Sequence, residues 1–75
     1  MNKAEFLSKL ADVLYYDGII RSDQDIASIE EWDSLGVLSV IELLNDMGLK
    51  IDPEKIMDLN NISSLIKLVE PVLED

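Results

Sequence analysis

Phe6, Leu7, Leu10, Val13 and Leu14 recur at the three- and four-residue spacing of one helical face. Asn2 precedes them and Glu5 follows it three positions later, a start signal of the capping-box kind, so the pattern predicts a first helix over about residues 3–16. Tyr15, Tyr16, Asp17 and Gly18 end it, and both tyrosines are expected to be half-buried there. From Gly18 to Glu31 the turn-forming residues Ser22, Asp23, Asp25 and Ser28 separate Ile19, Ile20, Ile26 and Ile29. This predicts a long loop pinned to the core by its isoleucines.

Asp33 is a good N-cap, and Trp32 just before it suits a hydrophobic staple packed on the bundle. From Ser34 to Met47 the positions Gly36, Ser39, Glu42 and Asp46 fall along one stripe with aliphatic residues elsewhere, predicting a second helix buried on most of its circumference. Gly48 stands where a left-handed C-terminal cap belongs, after which Leu49 and Ile51 can dip inward while Lys50 stays outside. Asp52 followed by Pro53 restarts a short third helix to about Leu59. Asn61 caps a last helix through Ile62, Leu65, Ile66 and Val69, and Pro71, which lacks the amide for a bond to residue 67, should kink or end it near Val69. The fold class is therefore all-α: a four-helix bundle of three long helices and a short third, with a long first loop.

Seventy-five residues suit a single domain, 1–75. Hydrophobic residues are 48% and aromatics 5%, so the core is aliphatic, and with no cysteine it is held without disulfides. Sixteen acidic against 6 basic residues give a formal net charge of -10, which repels nucleic acid and anionic membrane surfaces alike. Neutral or basic proteins are the expected partners of a monomer. No apolar run approaches the roughly 18 residues of a membrane helix, and a cytoplasmic location is the default.

Histidine and cysteine are both absent, which removes the usual general base, nucleophile and transition-metal ligand. Only Arg21 could offer a two-pronged fork to phosphate. Carboxylates alone need a cleft to hold them as an acid/base pair, and this chain has little material for one, so it is not expected to be an enzyme. The acidic positions Asp17, Asp23 and Asp25 lack the spacing of a calcium loop with its central glycine and closing glutamate, and read as solvated loop.

Ser34 lies in the first turn of the second helix, where free backbone amides and the positive end of the helix dipole favour a phosphate. With no histidine anywhere, its hydroxyl would need a base from a visiting enzyme. The run Trp32-Asp33-Ser34-Leu35 resembles the Asp-Ser-Leu motif of acyl and peptidyl carrier proteins, and the order of elements is similar to theirs from about Glu5 to Val69. The resemblance implies covalent 4'-phosphopantetheine, transferred from coenzyme A to Ser34 by a phosphopantetheinyl transferase (a holo-carrier synthase) using magnesium. It implies that Asp33 helps bind that magnesium, in addition to capping, and that Leu35 is a docking or core residue beside the arm. No metal site of the chain's own is implied.

Further partners implied are acyl- or aminoacyl-loading enzymes and condensing enzymes, met through Gly36, Ser39, Glu42 and Asp46 on the second helix. Here the stripe departs from the fatty-acid carriers: Gly36 and Ser39 stand at commonly acidic positions, Glu42 at an often apolar one, and Glu31 where a glycine is usual. These departures favour a discrete carrier of acyl or aminoacyl thioesters in a specialised pathway, the alternative being a carrier-fold adaptor that docks without modification. An acyl pocket between the second and fourth helices, lined by Leu38, Ile41, Leu44 and Ile62, is conceivable, but a filled core is the preferred reading at rest.

Overall fold

Each of the four α-helices among the described residues begins on a short amide or carboxylate side chain that accepts a hydrogen bond from a first-turn amide. In the computed structural model, which describes residues 1–74, Asn2 Oδ1 accepts from the Glu5 amide at 2.8 Å, opening α1 (Lys3–Leu14). Asp33 Oδ1 accepts from the Gly36 amide at 2.9 Å, opening α2 (Ser34–Asp46). Asp52 and Asn61 do the same for α3 (Pro53–Met57) and α4 (Ile62–Val69). Each cap satisfies an amide that the helix itself cannot, which is why these starts are legible locally. Asp75, included in the expected domain, lies outside the described residues.

The helix ends differ from expectation at α1 and at α3, the latter closing at Met57 rather than near Leu59. At the end of α2, Gly48 takes a left-handed φ of 88°, with its amide bonded to the Asn45 carbonyl and that of Leu49 to the Leu44 carbonyl. At the end of α1 the same pair of bonds forms from Tyr15 to Asp12 and from Tyr16 to Ala11, so the left-handed residue, φ 56°, is Tyr15. The helix therefore stops two residues before the predicted end. Pro71 behaves as its missing amide requires: α4 ends at Val69 and a 3-10 turn follows over Glu70–Val72.

The tyrosines consequently part company. Tyr16 packs against the core and its hydroxyl accepts from Gln24 Nε2 at 3.1 Å, whereas Tyr15 is 89% exposed, correcting the expectation that both are half-buried. Gln24 is itself buried and fully engaged, accepting from the Arg21 amide and donating also to Ser28 Oγ. The long first loop is pinned by Ile20, Ile26 and Ile29, with a 3-10 turn at Ile26–Ser28, while Ile19 faces solvent. Two backbone bonds, Ile26 to Asn60 and Ile62 to Gln24, join this loop to the start of α4. Ser63 Oγ adds a bond to the Ser22 carbonyl at 2.6 Å.

Phe6, Leu10, Val40, Leu44, Ile56, Ile62, Leu65 and Val69 fill the centre, so every helix contributes to one core. Among the described residues, no helix is long and apolar enough to cross a membrane.

The two ends of the described chain meet. The Met1 ammonium donates to Glu74 Oε1 at 2.8 Å and the Glu74 amide to the Met1 carbonyl at 2.9 Å. That hydrogen bond, and then the ammonium charge, holds the Glu74 carboxyl below the usual glutamate value. A lowered folded value contributes stability above the unfolded value and loses it as pH falls through the folded one. The melting temperatures of the wild type and Glu74→Gln should therefore differ slightly at about pH 6 and converge in acid once the pH has fallen through the lowered Glu74 value. A gap that survives strong acid would contradict the ion pair.

Candidate functional site

Ser34 is the first residue of α2 and is exposed. Asp33 is exposed beside it, with Oδ1 engaged by the cap, and the Asp33 carbonyl accepts from the Val37 amide at 2.8 Å. The amides of Ser34 and Leu35, in the same first turn, have no acceptor within the helix, so the dipole end and two free donors lie beside the Ser34 hydroxyl.

Within the first turn of α2 the backbone passes close to the incoming chain. A Cβ on Gly36 would stand 2.0 Å from the Glu31 carbonyl oxygen and 3.0 Å from Leu14 Cδ2. Gly36 is buried, so it is not part of a solvent-facing docking stripe as the sequence pattern suggested. Its role is steric: it lets the first turn of α2 sit against Glu31 and the end of α1. Of the other stripe residues, Ser39 is half-buried and Glu42 and Asp46 are exposed.

The inward face of α2 is Gly36, Val37, Val40, Leu43 and Leu44. Leu35 is 75% and Leu38 57% exposed, so the helix is not buried on most of its circumference. The hydrophobic pattern overcounted burial because two of its leucines face out. Those leucines flank Ser34, and Met57 of α3, 66% exposed, adds to the same surface.

An open groove of about 480 Å³ runs from Ser34 between α2 and α3, walled by Trp32, Asp33, Val37, Leu38, Ile41, Pro53 and Met57. The pocket considered between α2 and α4 is not where the space lies: Leu44 and Ile62 are fully buried in the core, while Leu38 and Ile41 line the α3 side. Sequence reading missed Pro53 and Met57 because only the packing of α3 brings them to Ser34. Trp32 is half-buried against the core, as a staple requires, and its Nε1 is closed off without a partner among the described residues. Leaving such a donor unpaired costs about 1–3 kcal/mol.

From Ser22 to Leu49 the sequence has no lysine or arginine, so formal charge around Ser34 along this stretch is purely negative. Among the described residues no group of three or more acidic side chains converges as it would around a metal ion.

These residues fit a phosphopantetheine group: an exposed hydroxyl to attach it, free first-turn amides to face its phosphate, and an apolar groove alongside for its arm. A helix-capped, exposed serine at such a groove suits a carrier, a protein that holds a substrate for others. The chain belongs to the phosphopantetheine attachment site family, whose model matches residues 4–69. Domains of this family bear covalent 4'-phosphopantetheine, are not themselves catalytic, and meet phosphopantetheinyl transferases and biosynthetic enzymes. Comparison with curated proteins and with solved structures gives no match.

Proposed function

We propose that Ser34 is the residue that bears the arm and that the chain is a discrete carrier of acyl or aminoacyl thioesters in a specialised pathway such as polyketide or peptide assembly. The observation that carries this reading is the position of Ser34: exposed, first in α2, at the mouth of the apolar groove. In loading, the Ser34 oxygen forms a phosphodiester as the pyrophosphate link of coenzyme A breaks, and the adenosine portion leaves as the bisphosphate. The serine proton goes to a base on the transferase, because this chain has no histidine to receive it. The bound arm supplies a terminal thiol, which holds the cargo as a thioester.

Asp33 has one carboxylate oxygen committed to the cap and the other left to share magnesium with the transferase and coenzyme A. Leu35 is a contact for whichever enzyme covers Ser34, with Ser39, Glu42 and Asp46 on the same helix. The specialised assignment rests on the exposed face of α2, where Leu35 and Leu38 stand beside few charges. A surface of that kind selects partners by apolar fit more than by a broad field.

Intact mass after incubation with coenzyme A, magnesium and a broad-specificity transferase tests the reading. A gain of one arm on the peptide containing Ser34 is expected, and no gain overturns it. The adaptor alternative draws on the same exposed Leu35, Leu38 and Met57. Its mark is a stable partner complex indifferent to Ser34→Ala but lost on charge reversal of Glu42 or Asp46.

A further inference from the structure

The fold explains Tyr16 and leaves Tyr15 unexplained. An aromatic ring 89% exposed contributes little to burial, and a left-handed backbone is unfavourable for any residue with a Cβ. Gly48 shows what suits this position, since it closes α2 with the same pair of hydrogen bonds. Among the described residues no hydrogen bond or ion pair rewards a tyrosine side chain there.

Outside the chain there is a use for it. On the flank of α2 opposite α3, two adjoining hollows of about 230 and 250 Å³ share Val13, Tyr15 and Ser39 in their walls. One reaches Asp33 and Leu35, the chain neighbours of Ser34, and the other reaches Glu42 and Asp46. An enzyme acting at Ser34 covers about 800 Å² of its partner, about one sixth of this molecule's 4876 Å². A footprint of that size centred on Ser34 takes in the hollow that begins at Asp33 and Leu35, and Tyr15 with it.

The chemistry of the hollow selects what enters it. Tyr15 offers an aromatic face, Glu42 and Asp46 offer carboxylates, and no lysine or arginine lies between Ser22 and Leu49 to compete. An arginine or lysine side chain satisfies all of these at once, stacking its cation on the ring and pairing with the carboxylates.

We propose that Tyr15 is a docking residue which, with Glu42 and Asp46, receives a basic side chain of the transferase that loads Ser34. This rests on the loading reading above. The apolar groove on the α3 flank is thereby left free for the arm.

The test is steady-state loading of the full chain by a broad-specificity phosphopantetheinyl transferase with coenzyme A and magnesium, alongside thermal melts. Tyr15→Gly relieves the backbone while deleting the ring, so its melting temperature should equal or exceed that of the wild type while its KM for loading rises about tenfold with kcat little changed. Tyr15→Asn, which also tolerates the left-handed backbone, should behave alike, Tyr15→Phe should retain most of the wild-type KM, and Glu42→Lys should raise KM. Wild-type KM for Tyr15→Gly and Tyr15→Asn overturns this inference alone. A wild-type chain that takes up no arm removes the loading reading and this one with it.

Discussion

Gly36→Ala is expected to destabilise the protein by about 3 kcal/mol, the upper part of the range for overfilling a packed site, and to lower its melting temperature by roughly 12–24 °C. Alanine is the better helix former by about 1 kcal/mol, so propensity alone predicts the opposite sign. Sterics win because the added Cβ would stand 2.0 Å from a backbone oxygen, that of Glu31, which cannot rotate away as a side chain can. Leu14 Cδ2, at 3.0 Å, could yield by a rotamer change, but the carbonyl would yield only if the first turn of α2 moved. That turn carries Asp33 and Ser34, so the variant should also be loaded more slowly while folded. Circular dichroism melts decide it: an alanine variant within a few degrees of the wild type would show that the close approach is not real.

Ser34→Ala is expected to abolish uptake of the arm while leaving the melting temperature within a few degrees of the wild type. Ser34 is exposed at the first position of α2, and the cap that starts this helix is supplied by Asp33 rather than by the serine. Removing its hydroxyl takes away the attachment point and no core contact, and alanine is a good helix former. Intact mass and a thermal melt on the same sample separate the two properties. A mass gain that persists would place the arm on another hydroxyl, and a large loss of stability would give Ser34 a structural role that its exposure does not support.

Gly36 and Ser34 lie two residues apart and illustrate what a sequence makes legible. Asn2, Asp33, Asp52 and Asn61 were readable as caps because a cap bonds within three residues of itself, and Gly48 and Pro71 mark helix ends for equally local reasons. Ser34 was readable because its motif is contiguous. Gly36 was not: counted as a polar position, it fell on the solvent stripe, whereas what matters is a carbonyl from the preceding loop.

The burial of α2 was overestimated for a related reason. Spacing shows that Leu35 and Leu38 are apolar but not that no neighbouring helix covers them. The inward side of Tyr16 is met by Gln24, eight residues on in the loop, and the groove beside Ser34 depends on where α3 packs. Each of these is set by tertiary contacts that the three- and four-residue periodicity does not contain.

Trp32 is the only tryptophan in the chain, and it forms part of the wall that begins at Ser34. Its near-ultraviolet emission therefore comes from a single place. Any cargo that slides along that wall, or any enzyme that strips it away, alters the polarity around one indole with no other indole to dilute the signal. The protein is thus its own optical gauge of whether a tethered substrate lies against the bundle or swings free in water.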